Sequence, residues 1–65
     1  MTDRLSEEIR RIKKLRKALG LSQEKMAQEI GVTLSTYGRW ERGQSKPRSA
    51  VMIDRLRAFL KKHKG

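Results

Sequence analysis

The stretch Leu21–Gly43, LSQEKMAQEIGVTLSTYGRWERG, decides the fold, because it divides into two short helical segments around a tight turn. Ser22 can cap the first segment, its hydroxyl accepting a hydrogen bond from an otherwise unpaired N–H of the first turn. Met26, Ala27 and Ile30 then share one face, and Gln23, Glu24, Lys25, Gln28 and Glu29 take the other. Gly31 suits the left-handed position that commonly ends a helix, since it has no Cβ to clash. Thr33 is a second cap two residues later. The segment it opens places Tyr37 and Trp40 on one side and Leu34, Ser35, Gly38, Arg39 and Arg42 on the other, and Gly43 supplies the stop. A turn this short forces the two helices to cross steeply around shared apolar residues. The polar side of the second helix is left protruding, which is the design of a helix-turn-helix.

Upstream, Leu5, Ile9, Ile12, Leu15 and Leu19 recur at helical intervals, with Thr2 or Asp3 as the cap and Glu7 and Glu8 near the positive N-terminal end. Gly20 stops this helix. Arg10, Arg11, Lys13, Lys14 and Lys17 cover its other faces and read as solvated charge. Downstream, Gln44-Ser45-Lys46-Pro47-Arg48 is a polar loop whose backbone N–H groups, Lys46 and Arg48 suit phosphate. Ser49 caps a last helix with an apolar face of Met52, Ile53, Leu56, Phe59 and Leu60. The basic end, residues 61–65, is expected to fray. The expected fold is all-α: one domain over residues 1–65 with helices at roughly 3–19, 22–30, 33–42 and 49–62 and the motif at 22–42. Met26, Ala27, Ile30, Val32, Tyr37 and Trp40 are the core candidates around the motif. The spacing of Trp40 from Tyr37 assigns it to the core rather than to base stacking.

Charge narrows the function. Seventeen Lys and Arg against seven Asp and Glu give a net charge of +10 in 65 residues, and the pI is near 11.0. A balance this basic points to a polyanionic partner, nucleic acid first. A membrane-surface helix fits poorly, because the apolar residues fall in several short capped segments that need one another for burial. Cysteine is absent and there is one histidine, His63, so disulfides and Cys or His metal clusters are excluded and no cofactor is expected. An enzyme is not expected either, since the few carboxylates sit mostly among basic residues on exposed faces. Neither a membrane span nor an apolar signal region follows Met1, which reads as a cytoplasmic protein.

Gly20-Leu21-Ser22-Gln23, Met26-Ala27, Ile30-Gly31-Val32-Thr33, Trp40-Glu41-Arg42-Gly43 and Lys46-Pro47, with Leu15-Arg16 upstream, stand in the order and spacing of a known pattern. The chain resembles the phage-repressor and Cro-like, or Xre, helix-turn-helix family over roughly Ile9 to Leu60. The resemblance implies sequence-specific binding of double-stranded DNA by a transcriptional regulator, repressor-like, with the second motif helix in the major groove. Base reading then falls to Leu34, Ser35, Gly38 and Arg39, where Arg39 can grip a guanine through O6 and N7 and Leu34 can pack on a thymine methyl. Leu34 and Gly38 depart from the polar readers usual in the family. By the same resemblance Gln23 is a phosphate anchor, joined by Ser22, Arg42, Gln44, Lys46 and Arg48. The resemblance also implies an internal ion pair of Arg16 with Glu41, joining the first helix to the reading helix. One such domain reads only a few base pairs, so a homodimer on a palindromic operator is expected, with half-sites about 34 Å apart and the last helix as the contact. Larger family members usually add a fifth helix, for which this chain ends too early. The reading from a different class is an antitoxin-like or scaffolding protein whose main contact is a protein partner; an apolar patch left bare by the missing fifth helix would favour it, with Phe59 the residue to examine. RNA is disfavoured, because no exposed aromatic platform is visible for unpaired bases.

Overall fold

In the computed structural model, which describes residues 3–63, the chain folds as four helices: α1 (Arg4–Ala18), α2 (Gln23–Ile30), α3 (Leu34–Glu41) and α4 (Ala50–Lys62). No strand occurs among the described residues. Each helix starts one residue after its cap, because a capping residue keeps extended backbone angles and lends only its side chain. The Asp3 carboxylate accepts from the N–H groups of Leu5 at 2.8 Å and Ser6 at 3.2 Å. The hydroxyls of Ser22, Thr33 and Ser49 accept from Lys25 at 3.0 Å, Thr36 at 3.1 Å and Met52 at 3.1 Å. Thr2, the other candidate for the first cap, lies outside the described residues. Gly31 ends α2 at φ 91, and Ala27 O accepts from both Gly31 N–H at 2.8 Å and Val32 N–H at 2.9 Å. That left-handed step turns the chain sharply enough for Thr33 to open α3 at once.

α1 packs on α3 and α4, and α2 packs on the same two helices. Their inner faces form one core of Ile9, Ile12, Met26, Ala27, Ile30, Tyr37, Trp40, Leu56, Phe59 and Leu60. Ala27 is small where α2 meets α3, and Tyr37 and Trp40 meet edge to face at 6.1 Å and 65°. Three expectations need correction. Val32, expected in the core, is partly buried and packs on its rim, since it lies in the turn itself. Leu19 is 45% exposed, because α1 ends at Ala18 and the chain departs from the apolar stripe at that point. Lys61 and Lys62 are helical rather than frayed: His63 caps α4, its N–H donating to Phe59 O at 3.1 Å and its ring lying 4.4 Å from the Phe59 ring. Lys64 and Gly65, the rest of that basic end, fall outside the described residues.

An ion pair closes the far side. Glu8, buried on α1, receives Arg57 Nε from α4 at 3.0 and 3.1 Å. α3 is thus held by the core at its back and presents its opposite side outward. Among the described residues no helix is long and apolar enough to cross a membrane.

Candidate nucleic-acid interface

The outward side of α3 carries Leu34, 46% exposed, with Ser35 and Arg39 exposed beside it. They stand there because Tyr37 and Trp40 take the inward positions of an eight-residue helix. What orients the helix about its axis is a polar hub at Glu41. Its carboxylate accepts Arg16 Nε at 2.8 Å and Arg16 Nη2 at 3.1 Å, a two-point grip that guanidinium geometry favours. Gln23 Nε2 donates to Oε1 at 2.9 Å and the Tyr37 hydroxyl donates to Oε2. Arg16 spends a further N–H on Leu21 O at 2.9 Å. One carboxylate therefore ties α1, the entry of α2 and α3 together. Among the described residues no buried side-chain polar atom lacks a partner.

Burial pushes the Glu41 carboxyl up, but the hydrogen bonds from Arg16, Tyr37 and Gln23 together outweigh it and hold the group at about 2. Burial, reinforced by the neighbouring carboxylate, pushes the Tyr37 hydroxyl up, and the Glu41 bond raises the Arg16 guanidinium. The consequence for stability has a definite sign. A carboxyl depressed in the folded state stabilises above its unfolded value of 4.5, and that stability is lost as pH falls towards about 2. Roughly 3 kcal/mol should disappear across this window. Urea melts of the wild type should weaken steeply below pH 4.5, and Glu41→Gln should flatten that limb. An unchanged acid limb in Glu41→Gln would assign the loss to other groups. Tyr37 acts at the other end: its raised value favours the fold below pH 10, and stability falls as pH climbs above it.

Not every candidate contact lies open. Gly38 is buried, although it sits on the outer half of α3, because the Arg42 guanidinium folds back over it: a Cβ there would lie 3.1 Å from Arg42 Nη1. In this arrangement the Arg42 guanidinium occupies the space beside Gly38. Arg42 Nε also donates to Gln44 Oε1 at 3.3 Å, so these two exposed side chains hold each other. Ser22 is spent on its cap. Gln23 is half-buried and engaged with Glu41, with its second amide N–H available to a ligand. Lys46 is ion-paired with Asp3, and that contact, with the bonds from Ser6, holds the Asp3 carboxyl well below the usual range.

Two hollows beside α3 bring cations together. One of about 430 Å³ between α3 and the start of α4 is lined by Thr36, Arg39, Lys46, Arg48 and Ser49 among others. A second, of about 240 Å³, brings Arg10 to Arg42, Ser45 and Lys46. Arg39, Lys46 and Arg48 thus come together, whereas Ser22 and Gln23 stand at the entry of α2, where Gln23 alone is bonded to Glu41. The sequence reading missed the Tyr37 hydroxyl and Gln23 as members of the hub. The four-residue spacing of Tyr37 and Glu41, one helical turn, was the available signal.

The family model described as helix-turn-helix matches residues 12–61. The uncharacterized HTH-type transcriptional regulator YazB of Bacillus subtilis (strain 168) is 40% identical over 45 residues. That match covers 69% of this chain and 65% of YazB, so the chain spans a little under two thirds of the relative. No solved structure matches the chain significantly. Two short helices around a glycine-ended turn, locked through Arg16, Gln23 and Glu41 and matched by the model over most of its length, identify the chain as a member of the helix-turn-helix family, of the Xre type.

Proposed function

We propose that this chain binds double-stranded DNA sequence-specifically as a transcriptional regulator, repressor-like, with α3 in the major groove. The observation that carries the reading is the outward face of α3. Ser35 and Arg39 stand exposed about one turn apart, and Arg39 shares its hollow with Lys46 and Arg48. Arg39 has the donors for a guanine edge, Leu34 a surface for a thymine methyl, and Ser35 a hydroxyl for either kind of base. Gln23, Arg42, Gln44, Lys46 and Arg48 flank them as phosphate contacts, and Ser22 offers its backbone at the same helix start. The name of the Bacillus relative, a transcriptional regulator, supports the same class. One domain of this size gains site length by pairing two-fold on a palindrome, with half-sites about 34 Å apart.

The protein-partner reading looked to an apolar patch at Phe59. Phe59 is 8% exposed beside the His63 ring, while Val51 on the same helix is 60% exposed.

Selection of duplexes from a random pool, with footprinting of the winner, tests the proposal directly. On the selected site Arg39→Ala should cost about 1–3 kcal/mol and relax the preference for G at one position. Binding to random duplex should change far less, and thermal stability hardly at all, since the side chain is exposed. Arg42→Ala serves as the control and should weaken every sequence about equally. Sequence preference surviving Arg39→Ala would remove α3 as the reader.

A further inference from the structure

A dense cationic surface lies on α1 rather than on α3. Arg10, Arg11, Lys14 and Lys17 are exposed along the side of α1 turned away from Ile9 and Ile12, with half-buried Lys13 at its edge. The carboxylate on this face is Glu7, whose contact is with Arg10 at 3.5 Å. Arg11, Lys13, Lys14 and Lys17 make no ion pair among the described residues.

A merely solvated helix face gains from alternating signs at three- and four-residue spacing. Here Arg10–Lys14 and Lys13–Lys17 are like-charged pairs four apart, and Arg10–Lys13, Arg11–Lys14 and Lys14–Lys17 are like-charged pairs three apart. Each such pair opposes the helix. The helix dipole accounts for Lys17, in the last turn, and not for the rest. Self-repulsion of this kind is relieved when a polyanion replaces the missing carboxylates. From Arg10 to Lys17 the helix rises about 10 Å, which matches the axial rise of about three phosphates along one strand of a duplex.

We propose that the outer face of α1, centred on Arg11, Lys14 and Lys17, is a second binding site for nucleic-acid phosphates, which takes a second segment of duplex while α3 holds the first. The inward sides of α1 and α3 meet in one core, so their outward faces look to different sides of a body 28 × 26 × 21 Å across. The α1 face reads no base, because a ridge of flexible cations offers charge without a fixed donor pattern. The proposal rests on the α3 reading for its first duplex, and its test separates the two.

A short biotinylated duplex carrying the selected site is immobilised and saturated with protein, and capture of a labelled random-sequence duplex is followed against KCl. The wild type should capture the second duplex. Arg11→Gln/Lys14→Gln/Lys17→Gln should fill the first duplex to within about twofold, yet lose about tenfold or more in capture, with the salt slope of capture reduced by about two to three units. Glutamine keeps the helix propensity close to that of Lys and Arg. The matched variant Lys25→Gln/Lys61→Gln/Lys62→Gln removes equal charge elsewhere and should capture like the wild type. Equal loss in both triple variants would reduce the effect to net charge and overturn the site, as would undiminished capture in the first or no capture by the wild type. Failure of the α3 reading shows itself separately, as site preference on the first duplex that survives Arg39→Ala.

Discussion

Glu41→Ala is expected to cost about 3–5 kcal/mol of stability, the range for removing one partner of a buried ion pair. The Glu41 side chain is 2% exposed and that of Arg16 13%, so water can replace little of a lost partner. The substitution strands the Arg16 guanidinium, the Tyr37 hydroxyl and the Gln23 amide at once. A chain of 65 residues buries a modest fraction of its surface, and small domains sit low in the usual range of about 5–15 kcal/mol. A loss of this size therefore leaves a large unfolded population at room temperature. Arg16→Ala should fall in the same range, since it leaves a buried carboxylate with only neutral donors. The double variant should cost clearly less than the sum of the singles, because it strands no charge. Urea melts of the four proteins close the cycle, and strict additivity would show that Arg16 and Glu41 are not coupled.

The second large effect is in binding. If about five phosphates are neutralised per half-site, log K should fall against log[salt] with a slope near −4 to −5, so a fourfold rise in salt costs roughly 500-fold in affinity. Arg48→Ala should flatten that slope by about one unit and weaken all sequences alike. Lys46→Ala should do so with a smaller loss of affinity, because Lys46 must first give up Asp3. Titrations at three or more salt concentrations decide it. Affinity indifferent to salt would remove the phosphate-anchored complex altogether.

The four capping residues were legible in the chain because capping is local: Asp3, Ser22, Thr33 and Ser49 each bond within three residues of themselves. The inward faces were legible for the same reason, as Met26, Ile30, Tyr37 and Trp40 follow from helical period. Arg16 and Glu41 are 25 residues apart, and only the family resemblance paired them. Glu8 and Arg57 are 49 apart with no such guide, and the first turn of a helix was reason enough for a glutamate there. Gly38 could not be read at all. Its burial depends on which way the Arg42 side chain lies, and that is settled by the space a missing Cβ leaves and by Gln44. The capping of α4 by His63 was hidden likewise, since ring contact with Phe59 needs the helix to continue.

The hub on Glu41 divides α3 lengthwise into two inheritances. Tyr37, Trp40 and Glu41 answer to the fold, while Leu34, Ser35 and Arg39 make no side-chain hydrogen bond or ion pair within the described chain. Substitutions at the latter three are nearly silent for stability and free to alter what the outer face contacts. A lineage carrying this domain can vary that outer face one residue at a time, while the hub and the core keep the fold.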